Sequence, residues 1–367
     1  NFSLGDEFWG AYQDAAHDRR KRGDFVSEQY LHLARNYRRY AWTLMYLFGA
    51  SPALCKSFPL RPNHGLESFD PGTWYLPYGT SLRMSDIGYR NKSQAGLSIS
   101  LNSLDEYLAG LTWAVTTPSP DYERIGVVVD GDYRQLNTSV LQIENEYYSA
   151  VRPKPRPKIA IRPIVALRAA GIDYIEIRTL DLNVADPVGV NQVQLRFVET
   201  LLLYCLLAES EPILRAEQLE IDTRELSVAR EGRRPGLELP VGGRLIPLRA
   251  LGLELVDELE ELAAALDADG EGYVEALARQ REAFEDPART PSARMLASMA
   301  GREQSFSEFV LEASEANHDY LRSLELAPAQ AERFRELAAA SLREAEELES
   351  DRATSFEAYL AAYFGAI

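Results

Sequence analysis

Apolar side chains at Tyr30, Leu33, Ala34, Tyr37, Ala41, Leu44 and Met45 recur three and four positions apart, the spacing that lines one face of an α-helix. The pattern predicts helix over residues 6 to 49, in two pieces broken near Gly23-Asp24, with Gly49-Ala50-Ser51-Pro52 as the stop. Periodicity then fades. Residues 51 to 100 are crowded with Pro, Gly, Ser, Asn and aromatic side chains, and a long loop-rich stretch inside a compact domain commonly carries function. Residues 104 to 116 read as a short helix capped by Asn102 or Ser103. The next segments are β in character: Ile125 to Val129, a turn at Asp130-Gly131-Asp132, Val140 to Tyr148, and Tyr174 to Leu182. From Asn191 onward the pattern is helical to the end, apart from a Gly- and Pro-rich excursion at 232 to 247. Strands first and helices afterwards predict an α+β fold: a sheet-bearing domain over 1–190 and a mostly helical region over 191–367 packed on it.

Faces of the predicted strands carry the candidate chemistry. Alternate strand residues share a side, so Tyr174, Glu176 and Arg178 project together while Ile175 and Ile177 point to the apolar side. A carboxylate and a guanidinium so placed form either a structural ion pair or a site in which Glu176 binds Mg²⁺ and Arg178 neutralises a transferring phosphoryl group. Gln142, Glu144, Glu146 and Tyr148 make a second polar face against Leu141 and Ile143, which is also what a solvated sheet face looks like. In the loop 74–93, Arg83 and Tyr89 combine a carboxylate-binding fork with a hydroxyl donor. The basic, proline-stiffened run Arg152 to Lys158 is a solvated connector or a loop over nucleotide phosphates. Glu231-Gly-Arg-Arg-Pro-Gly236 is a helix stop with a turn, or a loop near the site.

Composition narrows the classes. A net charge of −17 argues against nucleic acid or a membrane surface as partner, since both are anionic. The acid excess lies mostly beyond Leu251, where no lysine occurs, whereas arginines gather at Arg19, Arg20, Arg22, Arg35, Arg38 and Arg39, so the earlier half suits an anionic substrate such as a nucleotide. No stretch approaches the roughly 18 apolar residues of a membrane span; Phe197 to Ala208 is short, carries Glu199 and reads as a buried helix. Cys55 and Cys205 have no CxxC partner, which excludes a disulfide framework or zinc site and fits a reducing cytosol. Walker A, GxGxxG and GxSxG signatures are all absent.

Several phrases occur together in order. They are Tyr46-Leu-Phe-Gly-Ala-Ser-Pro-Ala53, Tyr75-Leu-Pro-Tyr-Gly-Thr-Ser-Leu-Arg-Met-Ser-Asp-Ile-Gly-Tyr89, Asn91-Lys-Ser-Gln94, Val140-Leu-Gln-Ile-Glu-Asn-Glu146, Gly171-Ile-Asp-Tyr-Ile-Glu-Ile-Arg-Thr-Leu-Asp181 and Glu231-Gly-Arg-Arg-Pro-Gly236. In this series the chain resembles the glutamate–cysteine ligase family of the proteobacterial type, within the glutamine synthetase-like superfamily. The resemblance implies a catalytic domain over 1–190 with an antiparallel sheet funnel, incomplete here, that holds Mg²⁺ between ATP and L-glutamate. It implies phosphorylation of the glutamate γ-carboxylate and attack by the amine of L-cysteine, the first step of glutathione biosynthesis, in the cytoplasm. Carried over position by position, Glu176 matches a metal-binding glutamate and Arg178 an arginine at the transferred phosphoryl group. Arg83 matches an arginine holding a substrate carboxylate, Tyr89 and Tyr148 match tyrosines of the cysteine pocket, and Asn1 an asparagine at the glutamate site. Arg152 joins Arg178 as a catalytic candidate. The opening Asn1-Phe2-Ser3-Leu4 reads as the end of a strand, so the chain is expected to begin inside a fold. By the resemblance, further metal-binding glutamates and a histidine precede it, and this stretch alone is expected to be inactive. Alternatives are a non-catalytic fragment of the fold, a ligase joining glutamate to a different amine, and the ligase half of a bifunctional glutathione synthetase.

Overall fold

A computed structural model describes residues 10–11, 22–60, 62–88, 97–156, 161–350 and 354–366. The central element is helix α1, Arg22–Phe48, whose buried face includes Tyr30, Leu33, Tyr37, Leu44 and Met45, the stripe the periodicity picks out. Gly49 ends it where the chain crosses the loop at Thr80: a Cβ there would lie 2.4 Å from the Met45 carbonyl oxygen and 2.6 Å from that of Thr80. Only glycine permits that approach.

The loop-rich stretch hides a small sheet. Strands β1 (Ala53–Cys55), β2 (Glu67–Asp70) and β3 (Thr73–Tyr75) pair antiparallel in the order β1-β3-β2. At three or four residues each they are too short for alternation to register. Helix α2, Leu104–Thr116, starts where expected, with the Ser103 hydroxyl accepting from the Glu106 N–H at 3.1 Å. Helix α3 (Pro120–Ile125) is followed by a hairpin of β4 (Val128–Val129) and β5 (Asp132–Tyr133). Asp130 and Gly131 take φ of 55° and 87° at its turn.

The predicted strand over Val140 to Tyr148 is not formed: Glu144–Glu146 make a turn of 3-10 helix instead. The reason is Glu144, drawn inside to pair with Arg162, which breaks the alternation. The strand lies just beyond, as β6, Val151–Lys154, so the basic run expected as a loop is partly sheet. After helix α4 (Pro163–Ala170) comes β7, Tyr174–Ile177, antiparallel to β6 with Arg152 opposite Glu176.

Helices α5 (Gln192–Leu207) and α6 (Arg215–Glu231) pack against α1. The 232–247 excursion contains the hairpin of β8 (Glu238–Val241) and β9 (Arg244–Pro247). Helices α7 (Leu248–Leu266), α8 (Tyr273–Glu285), α9 (Pro291–Gly301), α10 (Phe306–Ser323), α11 (Pro328–Ser350) and α12 (Phe356–Phe364) complete the chain. All named strand pairs are antiparallel, and with the many helices the fold is α+β. One apolar core joins α1, α2, β6 and β7 to α5, α6, α7 and α8. Among the described residues no helix is long and apolar enough to cross a membrane.

Three of the clustered arginines answer to this packing rather than to a ligand. Arg38 is buried between Glu225 and Asp222 at 2.5 and 3.0 Å, Arg39 meets Glu217 at 2.5 Å, and Arg35 donates to Ser210 and to the Leu101 and Asn102 carbonyls. They pin α1 to α6 and to the flanking loops. Arg19 and Arg20 lie outside the described residues.

Candidate active site on the paired strands β6 and β7

The β6–β7 ribbon turns Val151 and Ile175 into the core. Across the ribbon Arg152 and Glu176 face each other, and Lys154, two residues along, shares their side. Arg152 donates to Glu176 Oε2 from Nε at 3.2 Å and Nη2 at 3.0 Å, Lys154 Nζ stands 3.7 Å from the same oxygen, and Arg178 Nη1 lies 3.3 Å from Oε1. Among the described residues, three cations around one carboxylate leave positive charge in surplus. The Glu176 side chain keeps 28% of its surface exposed, so the cluster is open to a ligand.

Burial works against the charge on Glu176, but Arg152, Lys154 and Arg178 outweigh it and hold the carboxyl below the usual carboxylate range. Burial, and then Arg152, pull the Lys154 ammonium below its ordinary value in spite of Glu176. The cations differ in reach. Arg152 is buried, and its Nη1 donates to the Asn145 and Tyr147 carbonyls at 2.9 and 3.0 Å. Arg178 is partly exposed and lies 5.0 Å over the Tyr148 ring, a cation–π placement.

A second group joins the first through Tyr148. Arg83, in a 3-10 turn over Leu82–Met84, donates from Nη1 to the Tyr148 hydroxyl at 2.5 Å and from Nε to Asp181 Oδ1 at 2.6 Å. Its Nη2 reaches the Arg178 and Leu180 carbonyls at 3.0 and 2.8 Å. The turn is held from its N-terminal side. Ser81 caps it by accepting from the Met84 N–H, and the Thr80 and Ser81 N–H groups donate to the Ala229 carbonyl at the end of α6. Arg233 adds bonds to the Pro77 and Gly79 carbonyls at 2.8 and 3.1 Å. The Glu231–Gly236 phrase is thus a helix stop that buttresses this turn, with Gly232 capping α6.

The structure therefore brings Glu176, Arg178, Arg152, Arg83 and Tyr148 into one connected group. Asn1 and Tyr89 lie outside the described residues. Two members escaped sequence reasoning. Lys154 had a signal, since it stands two positions from Arg152 in what proved to be a strand. Asp181 ended a quoted phrase, but alternation along the predicted strand put it on the apolar side with Ile175 and Ile177, whereas the strand ends at Ile177. Glu144, by contrast, leaves the polar face for the interior: Arg162 holds it through Nε at 3.1 Å and Nη2 at 3.0 Å, and both side chains are 2% exposed. No grouping of three or more His, Cys, Asp or Glu side chains stands together among the described residues.

The chain as a whole is similar to known proteins. A family model described as glutamate-cysteine ligase matches residues 1–228. The chain is 45% identical over 369 residues to the glutamate–cysteine ligase of Pseudomonas paraeruginosa, covering all of this chain and 70% of that protein. It is 45% identical to the Shewanella oneidensis ligase, covering 71% of it, and 46% identical to that of Azotobacter vinelandii, covering 70%. The solved structure of the Francisella tularensis ligase in complex with AMP superposes with a TM-score of 0.88 at 31% identity, over 98% of this chain and 70% of that one. A bifunctional glutathione synthetase from Pasteurella multocida shares the fold, with a TM-score of 0.60 at 21% identity over 86% of this chain and 35% of that one.

Proposed function

The chain belongs to the glutamate–cysteine ligase family, and from that premise we propose how its own side chains serve the ATP-dependent joining of L-cysteine to the γ-carboxylate of L-glutamate, the first step of glutathione biosynthesis. The observation that carries the proposal is the Glu176 cluster: one ionised carboxylate with cations in excess, partly exposed. Surplus positive charge is what a polyphosphate and a transferring phosphoryl group require.

In the first half-reaction a glutamate γ-carboxylate oxygen attacks the terminal phosphorus of ATP and ADP leaves. In the second the cysteine amine nitrogen, relieved of one proton, attacks the γ-carbonyl carbon of the acyl phosphate and inorganic phosphate leaves. Arg178, the more exposed guanidinium, neutralises charge on the phosphoryl oxygens, and Lys154 takes a neighbouring phosphate as a point charge. Arg152, buried and held by two carbonyls, acts through Glu176 by holding its carboxylate in place.

Mg²⁺ suits the donor set in part. This ion is commonly held by one or two carboxylates completed by substrate phosphates and water, and Glu176 offers one such ligand. A bound Mg²⁺ would offset negative charge on the phosphates. Arg83 and Tyr148 form the amine-substrate end, where the guanidinium takes the cysteine carboxylate beside the phenol. Tyr89 and Asn1 are assigned to the cysteine and glutamate pockets on the family's pattern. The two free cysteines, Cys55 and Cys205, suit a reducing compartment, and we assign the reaction to the cytoplasm.

The test is an ATP- and glutamate-dependent phosphate-release assay on the full-length enzyme with cysteine, 2-aminobutyrate, alanine and serine. Cysteine should give the highest kcat/KM. Arg178→Ala should lower kcat about 10²- to 10³-fold with every amine, the loss typical of one transition-state donor. Undiminished turnover by that variant would refute the phosphoryl assignment.

A further inference from the structure

Asp181 has no part in the scheme above, yet it is a buried carboxylate at the junction of three segments. Its Oδ2 accepts from the Ala50 N–H at 2.9 Å and the Ser51 hydroxyl at 2.7 Å, and its Oδ1 accepts from Arg83 Nε at 2.6 Å. The first two donors stand just past the C-terminal end of α1, and the third is the proposed carboxylate-binding arginine. Asp181 itself lies four residues past Ile177, the end of the strand that carries Glu176. Its side chain is 3% exposed, so its charge is offset by these donors rather than by water.

We propose that Asp181 is a positioning residue for the amine substrate: it fixes the Arg83 guanidinium so that Nη1, beside the Tyr148 hydroxyl, is presented to the bound carboxylate. The geometry is directional. A guanidinium is a rigid planar fork, so anchoring Nε to a buried carboxylate sets the plane in which Nη1 and Nη2 lie. In that plane Nη1 meets the Tyr148 hydroxyl and Nη2 the Arg178 and Leu180 carbonyls. The phenol therefore takes its place at the cysteine end from the same anchor, and the backbone of Arg178 is tied to it. Without Asp181 the Arg83 side chain regains its rotamers, and an amine substrate must order it on binding. ATP and glutamate are linked to that fork only through the Arg178 backbone carbonyl, so they should feel its loss less.

The inference rests on the reading of Arg83 as the cysteine-carboxylate ligand, and the experiment separates the two. In the full-length enzyme, kcat and the KM for cysteine, glutamate and ATP are measured for Arg83→Ala, Asp181→Asn and the double variant, with thermal unfolding alongside. Asp181→Asn should raise the cysteine KM about tenfold or more, as loss of a supporting partner does, with the other two KM values within about twofold. The double variant should be no worse than Arg83→Ala, because Asp181 acts through Arg83. If Arg83→Ala leaves the cysteine KM unchanged, the ligand reading fails and takes the inference with it. If Arg83→Ala raises that KM but Asp181→Asn lowers stability alone, or the two effects add, Asp181 is merely structural and the inference alone is overturned. Should Asp181→Asn not fold, Ser51→Ala, which removes one donor to Asp181, replaces it in the same scheme: a raised cysteine KM with ATP and glutamate unmoved supports the proposal, and an unchanged cysteine KM overturns it.

Discussion

Glu144 and Glu176 look alike in sequence, each on a stretch where polar and apolar residues alternate, and the structure puts them to opposite uses. Glu144 meets one cation, Arg162, and both are sealed from water. The rings of Tyr363 and Phe364 on α12 cover the guanidinium at 4.8 and 5.3 Å. Charge there is balanced and closed. Glu176 meets Arg152, Lys154 and Arg178 and stays partly exposed, so charge there is unbalanced and open. A closed, neutral pair holds a fold together, whereas an open cluster with cations in excess among the described residues can take an anionic partner. The difference between scaffold and site is thus stoichiometry and access, not residue type.

Breaking the closed pair should have the largest effect. Glu144→Gln leaves the Arg162 guanidinium buried without its anion, for which about 3–5 kcal/mol of lost stability is expected. Urea unfolding measures it, and turnover per folded molecule should be essentially unchanged. A large loss of kcat with stability intact would instead make Glu144 part of the site. The converse variant, Glu176→Gln, should cost less stability, since its carboxylate is partly exposed and the buried Arg152 keeps its bonds to the Asn145 and Tyr147 carbonyls. The Mg²⁺ concentration needed for half-maximal activity should rise by at least about tenfold, read from a metal titration of initial rates. An unchanged titration would remove Glu176 as the metal ligand.

The smallest expected effect is in acid. Because the folded-state pKa of Glu176 is depressed, its contribution to stability is fully present above the unfolded carboxylate value of about 4.3 and is lost as pH falls through the folded value. Comparing the enzyme with Glu176→Gln in unfolding experiments between neutral pH and strong acid should show the wild type losing ground only below about pH 4.3. The same difference at every pH would mean the three cations do not stabilise the ionised form.

Much of this molecule was legible before any coordinates. The stripe from Tyr30 to Met45, the Ser103 cap, the apolar helix holding Phe197 and the shared face of Glu176 and Arg178 all follow from local periodicity and side-chain chemistry. Those depend on neighbours a few residues away, which a sequence displays directly. The ordered phrases from Tyr46 to Gly236 carried the family on their own. What tertiary structure decided involves partners far apart in the chain. Glu144 left its predicted strand because Arg162 lies beside it. Arg38 and Arg39 turned to α6 instead of to a nucleotide, and the basic run at Arg152 became a strand because β7 offered a register. Asp181 gained its place only when Ala50, Ser51 and Arg83 converged on it. A buried charge takes whichever partner folding brings near, and hydrogen-bond distance in space is not written in sequence distance.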